Sequence, residues 1–511
     1  MSNRSEDRNR LPLDQPSSST IASISWSVSQ PPPPRRAVAS LAAAVGLFIA
    51  GGCTFNRLDV GDCETNAECR GTFGFGYVCR NDGLCERADP LARCTQTYPP
   101  NLYEDRLENK DRIIFGNVLD QTVGLFQAFE KTAQLAYDQG NGRGGIDGLE
   151  FGAVFCTDEE NPDLDDLDHV QAAVASVQYL AGTLGVPAIL GPITSVEVQD
   201  TFQALAGQDT LMISATATSP ALTALDPAEV SDDAPGLLWR TAPSDALQGV
   251  AIANDMLIVR DPPVTSVAAI HEVGAYGEGL FEVFARDFRN GGGDVDEYPY
   301  EDGGQMAEAV AMAGSSGVQE VLFISSDIPT IIGFLDSIAT LEEYNDIGIF
   351  MTDPGASSDV LAQANATSLA KVRGTRPAPL DENQDVYASF IAAYAAKFSD
   401  DVRGFPYTPN VFDAAWLLMY GAAWAVLRED GVINGPNIAR GLRHVSGGQS
   451  VEVRPSGWAS VLQEYRDGHG VNVEGASGEL DFDPATEEAS AGIEVWHVEN
   501  RSLVQIYTVN P

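Results

Sequence analysis

From Asp111 onward the chain alternates short β-rich runs with helical stretches, and it does so twice. RIIFGNVL (112–119) leads into the amphipathic stretch GLFQAFEKTAQLAYDQG (124–140). LEFGAVFC (149–156) leads into HVQAAVASVQYLAGTLG (169–185), and VPAILGP (186–192) into VEVQDTFQALAG (196–207), before LMISAT (211–216). Strand runs this short and this apolar are buried on both faces, and βαβαβαβ order makes such a sheet parallel, with helices covering it. A second series follows Arg240: VTSVAAIHEV (264–273), GLFEVFARDFRNGG (279–292), VDEYPY (295–300), MAEAVAMAG (306–314), EVLFISS (320–326), a helix, and IGIFMTD (347–353). The expected fold is therefore α/β, with two doubly wound parallel-sheet lobes. Two very apolar helices, VYASFIAAYAAKF (386–398) and VFDAAWLLMYGAAWAVL (411–427), have the length of packed core helices and are expected to return to the first lobe.

Charge removes several kinds of partner. The chain carries a formal −43 and is 44% hydrophobic. Its first 52 residues hold five arginines against three acids, so the remainder stands at about −45. Such a surface repels nucleic acid and anionic membrane. The acidic run DEENPDLDDLD from Asp158 lacks the glycine and the spaced ligands of a calcium loop, so no metal is expected there.

The N-terminal part reads as an export and anchoring segment. Arg35 and Arg36 precede sixteen uncharged, mostly apolar residues that end in Gly51-Gly52-Cys53. A spanning helix needs roughly 20 apolar residues, so this run is a secretory signal rather than an anchor. Its ending, Ile49-Ala50-Gly51-Gly52-Cys53, resembles a bacterial lipobox, without the leucine usual three residues before the cysteine. That resemblance implies lipidation of Cys53 and export to the bacterial cell envelope. Six cysteines remain, an even number, as an oxidising compartment favours. Cys63, Cys69, Cys79 and Cys85 are spaced unlike zinc ligands and sit in too little chain for a core, so two disulfides are expected to staple a small knot, in undetermined pairing. Cys94 and Cys156 are left to bond to each other, with a free buried Cys156 as the competing outcome.

Where the strands end, hydroxyls gather. ILGPITS (189–195) closes a strand at a Gly-Pro turn, with Ser195 expected to cap the following helix, whose positive end suits a carboxylate. ISATATSP (213–220) places Thr216, Thr218 and Ser219 at a carboxyl sheet edge, where open α/β sheets bind ligands. The same hydroxyls could instead only cap helices and turns.

Taken in order, QLAYDQGNGRGGIDG (134–148), ILGPITS, ISATATSPALT (213–223), WRTAPSDALQG (239–249), AYGEGL (275–280) and GELDFD (478–483) resemble the type 1 periplasmic binding proteins, in particular the leucine/isoleucine/valine-binding branch. The resemblance covers nearly everything after about residue 110. It implies a clamshell of two lobes joined by three hinge strands, with a ligand in the cleft. It implies a layout of leader and signal (1–52), cysteine-rich linker (53–94), first lobe (110–240, returning at 376–472) and second lobe (241–375, closing at 473–511). It further implies that Ser195, Thr216 (by backbone) and Thr218 hold a ligand's α-carboxylate and amine, and that Tyr276 closes from the second lobe. Two departures stand out. Asp327 occupies a position where amino-acid binders carry an aromatic residue, and Asp353, in TDPG, stands near their amine-binding glutamate. Either aspartate could pair with a ligand ammonium, or the pair marks a cleft for something else.

Catalytic patterns are missing from the sequence. The five histidines are scattered without metal spacing, no Gly-x-Ser-x-Gly occurs, and Gly140–Gly145 follows a helix rather than a strand, the reverse of a dinucleotide site. Neither an enzyme nor a cofactor is expected. What the resemblance implies is a lipid-anchored protein that captures a small polar, amino-acid-like ligand for an ABC permease. The alternative is an envelope lipoprotein that uses the same clamshell to contact a partner protein.

Overall fold

The computed structural model describes residues 63–119, 124–226, 230–378, 384–489 and 491–510. The leader, the signal run and the lipidation candidate Cys53 lie outside the described residues. The first described segment is the cysteine knot. Helix Asn66–Phe73 opens on a capping box between Thr65 and Glu68, and it packs on a hairpin of β1 (Tyr77–Cys79) and β2 (Cys85–Arg87). Cys63–Cys79 and Cys69–Cys85 cross-link the knot, and Cys94–Cys156 ties the next segment to the first lobe.

The first lobe is built on β3 (Gln96–Tyr98), β4 (Ile113–Val118), β5 (Phe151–Cys156), β6 (Ala188–Leu190), β7 (Leu211–Ser214) and β8 (Leu238–Arg240). Their spatial order is β3-β5-β4-β6-β7-β8, parallel throughout except for β3, which runs antiparallel to β5 at the edge. Every residue of β4 and β5 is buried, the two-sided covering that their unbroken apolar runs require. The second lobe holds β9 (Ser266–Glu272), β10 (Asp294–Tyr300), β11 (Glu320–Ile324), β12 (Gly348–Met351) and β13 (Val372–Pro377). A short parallel pair, β14 (Gln449–Glu452) and β15 (Val471–Glu474), follows, and then β16 (Ile493–Glu499) and β17 (Ser502–Val509). The second sheet runs β10-β9-β11-β12-β13-β16-β17, with the last two strands antiparallel. The chain leaves the first sheet after Arg240, leaves the second after Pro377 and re-enters it at Ile493.

Helix Thr408–Arg428 is apolar and long enough to cross a membrane, yet 89% of its most apolar window is buried within the protein. It lies close against helix Gly124–Asn141: a Cβ at Gly140 would meet Met419 Sδ at 2.6 Å. Trp416 and Tyr420 pack on Trp458, which also meets Phe151 of β5 and donates its indole N–H to the Gly145 carbonyl at 2.9 Å. The apolar return helices thus complete the first lobe's core, and this buries far more apolar area than strands this short could bury alone.

Candidate ligand cleft

The cleft lies where the carboxyl ends of the first sheet face those of the second. Phe129, Ile193, Ile328, Pro354 and Pro406 supply its apolar walls. Thr194, Ser195, Thr216, Tyr276, Ser326, Asp353 and Tyr407 supply its polar groups, and the cavity between them is about 50 Å³.

On the first lobe, β6 runs into the turn that ends at helix Ser195–Ala204. The cap of this helix is Thr194 rather than Ser195: Thr194 Oγ1 accepts from the Glu197 amide, and Glu197 Oε2 accepts from the Thr194 amide at 3.0 Å. This corrects the expectation for Ser195. A capping box needs a hydroxyl residue three places before a glutamate, and only Thr194 stands at that distance from Glu197. Ser195 is the first helical residue, buried, and its Oγ accepts from the Ser219 amide at 3.2 Å. Thr216 donates its hydroxyl to the Ile193 carbonyl, which bridges the ends of β6 and β7.

Thr218 is placed differently. It is buried, its hydroxyl donates to Asp245 Oδ2 at 2.8 Å, and it does not line the cleft. Asp327 caps helix Ile328–Ile338, accepting from the Thr330 amide at 2.8 Å, and faces a neighbouring cavity instead. Tyr276 and Asp353 do come together. The Tyr276 hydroxyl donates to Asp353 Oδ1 at 2.8 Å, and the Tyr407 hydroxyl donates to Asp353 Oδ2 at 2.7 Å. Gln248 Nε2 adds a bond to Oδ1 at 3.0 Å and reaches Thr375 at 3.1 Å.

Burial governs the electrostatics of this cluster. It pushes the Asp353 carboxyl up, while donation from Tyr407, Gln248 and Tyr276 pulls it down. Asp245 is raised well above the carboxylate range by burial and then by the charge of Asp353, with Thr218 and Arg240 opposing. Beneath Ser326, Glu272 is pushed up to about 7 by burial, although it accepts from the Ser326 amide and hydroxyl at 2.8 Å each. Burial therefore disfavours the charged forms of the carboxyls under the second-lobe side of the cleft, while the positive end of helix Ser195–Ala204 lies on the first-lobe side. A ligand with a carboxylate at one end and a donor or cation at the other matches that polarity.

Sequence reading missed Tyr407, Gln248 and Asp245. The last two sit inside WRTAPSDALQG, whose spacing puts both on one helix face, so a signal was present. Tyr407 lies 54 residues beyond Asp353 and carries φ 64°, a left-handed conformation that costs a bulky residue energy and marks a held position.

Residues 121–460 match the family described as Periplasmic binding protein. A curated relative, a Leu/Ile/Val-binding protein homologue from Brucella melitensis, is 28% identical over 163 residues, 32% of this chain, and the match spans 39% of the length of that relative. Among solved structures, the branched-chain amino acid transporter substrate-binding protein LivJ from Streptococcus pneumoniae, in complex with isoleucine, superposes with TM-score 0.60 at 18% identity, over 78% of this chain and 100% of that one. The leucine-binding protein LivK from Thermotoga maritima gives 0.61 at 17%, over 78% and 99%. A solute-binding protein of an ABC transporter from Rhodopseudomonas palustris, in complex with 3,4-dihydroxybenzoic acid, gives 0.58 at 15%, over 78% and 98%.

Proposed function

The chain belongs to the periplasmic binding protein family, and from that premise we propose that it is a lipid-anchored solute-binding protein that closes two lobes on a small amino-acid-like ligand for an ABC importer. The observation that carries this reading is the split of the cleft lining: Ser195 and Thr216 from one lobe, Tyr276, Ser326 and Asp353 from the other. Only a closed arrangement satisfies a ligand from both sides, so binding drives closure.

The ligand's carboxylate meets the helix start at Ser195, and its apolar body lies against Phe129, Ile193 and Ile328. Its donor end faces Asp353, which already accepts from two tyrosines. An amine there competes with or joins those hydroxyls, and a phenol could replace one of them. The apolar walls also favour a second ligand class, aromatic acids.

A thermal-shift screen separates these. Branched-chain amino acids, their amides, polyamines, benzoate and hydroxybenzoates are each added in excess. A ligand at 100 times its dissociation constant stabilises by about 2.7 kcal/mol. A shift with amino acids supports the proposal, a shift with aromatic acids alone replaces the ligand class, and no shift with any member overturns the reading.

A further inference from the structure

At the end of the first sheet opposite the ligand cleft, a cavity of about 370 Å³ opens between the cysteine knot and the first lobe. Lys110 and Arg112 reach it from the run into β4, and Asn66 and Arg70 reach it from the knot helix. Strands β4, β5 and β6 are parallel, and the cavity sits at their amino ends, so it shares no lining residue with the cleft. Three basic side chains and one acid, Asp111, line it, in a chain of 73 acids against 30 lysines and arginines.

The three cations differ in what they already hold. Arg112 is engaged: Glu150 pairs with it at 2.6 Å, and its Nε donates to Asn109 Oδ1 at 2.7 Å. Arg70 is not. Its Nη2 donates to the Leu184 carbonyl at 3.0 Å, but its Nε is buried without an acceptor, and no carboxylate pairs with it among the described residues. Lys110 is exposed and has no partner among the described residues. The other three lysines do have partners: Lys131 pairs with Asp400, Lys397 pairs with Asp138, and Lys371 donates to the Tyr344 and Asn345 carbonyls.

The knot helix is held in place around Arg70. Cys69 is bonded to Cys85, Asn66 Oδ1 accepts from the Cys79 amide at 2.8 Å, and Asn66 Nδ2 donates to the Thr183 carbonyl at 3.4 Å. A guanidinium fixed this way, with a buried N–H lacking an acceptor and no counter-charge, calls for an anion from outside the chain.

We propose that Arg70 and Lys110 bind a phosphate-class oxyanion in this cavity, with Arg112 adding positive charge from its wall. The planar guanidinium offers a fork of donors that matches such an anion, and the ammonium adds a point charge. Two unpaired cations suit a group that spreads up to about two negative charges over several oxygens better than a carboxylate. Free phosphate and a phospholipid headgroup carry the same chemistry. The site does not depend on which solute the cleft takes.

The mature protein, exchanged into phosphate-free buffer at physiological salt, is titrated by calorimetry with two probes. One is inorganic phosphate, and the other is glycerophosphoglycerol, the water-soluble headgroup of phosphatidylglycerol. The expected result is one saturable site, weakened about tenfold or more in Arg70→Gln and also weakened in Lys110→Ala. The tighter probe identifies the source of the anion. Lys110 is exposed, so its variant keeps the fold and decides the matter even where Arg70→Gln unfolds the knot. Absence of saturable binding with both probes overturns the proposal, as does wild-type affinity in Lys110→Ala. Binding that is weakened by Ser195→Ala instead would place the anion in the cleft and overturn it too.

Discussion

The hydroxyl of Ser219, on the first lobe, donates to the carbonyl oxygen of Ala275, on the second, at 2.6 Å. The same residue's amide donates to Ser195 Oγ, so one short segment links the cleft floor to the opposite lobe. A Cβ added at Gly279 would stand 2.8 Å from Ser219 Oγ, which is why that helix turn must be glycine for the lobes to meet.

Loosening this contact should cost affinity more than stability. Ser219→Ala removes a neutral hydrogen bond worth about 0.5–1.5 kcal/mol, a loss of up to roughly tenfold in ligand affinity. Gly279→Ala should lower affinity while leaving the melting temperature unchanged or higher, since alanine favours the helix. Calorimetric titration alongside thermal unfolding checks both. Affinity unchanged in both variants would mean that the contact has no part in closure.

Ser195 and Thr218 should now behave differently. Ser195→Ala withdraws a hydroxyl from the cleft and should weaken binding of a carboxylate by roughly 1.5–3 kcal/mol. Thr218→Ala strips a partner from the buried Asp245 and should destabilise by about 1–3 kcal/mol, with affinity much less affected. Denaturant unfolding and ligand titration on the two variants decide the assignment. A Thr218→Ala protein of normal stability and poor affinity would return that residue to the ligand.

Stability should fall as pH rises from about 4 to 7. Burial pushes Glu272 up to about 7, and Asp413, whose carboxylate accepts from the Ala476 and Ser477 amides, is pushed up to about 7 by the same cause. Both titrate near pH 4 when unfolded, so the folded chain binds more protons in that window and loses stability as they leave. Glu272→Gln should flatten the slope and be the more stable protein at pH 8, by at most about 3 kcal/mol. Melting temperatures at pH 5 and pH 8 test it, and an equally steep fall in the variant would clear Glu272 of the effect.

The Cys94–Cys156 bond closes a loop with a sequence separation of 62. Chain-entropy arguments give about 4 kcal/mol for a loop of that size. Cys94→Ser with Cys156→Ser should lower the urea midpoint accordingly. Peptide mapping that recovered Cys156 as a free thiol in the wild type would remove the basis of this prediction.

Anchoring is tested on the full chain. With Cys53 lipidated, the mature protein partitions into detergent, and Cys53→Ala releases it or blocks maturation. Partitioning that ignores the substitution would end the lipoprotein proposal.

The two α/β lobes were legible because burial on both faces leaves a local trace: β4, β5, β9 and β11 are runs of apolar residues that no solvent-facing strand would tolerate. Strands β8 and β13 left no such trace. β8 is three residues long, and β13 carries Arg373 and Arg376, whose guanidinium groups reach Asp255 and Glu494. Their strand character comes from neighbours already in the sheet.

Ser195 and Thr216, which line the cleft, could be picked out from the chain itself, because residues just past the carboxyl ends of parallel strands are local positions, whereas Tyr276 and Asp353 were reached only through the family resemblance. The roles of Thr218, Asp327 and Tyr407 could not. Whether a hydroxyl faces a ligand or a buried carboxylate depends on what tertiary packing brings opposite it, here Asp245. Tyr407 reaches Asp353 only because the return helix folds back across the lobes. Periodicity and composition thus determined the layers and strand ends of this protein, and the partners across the cleft were decided by long-range packing, which no local pattern encodes.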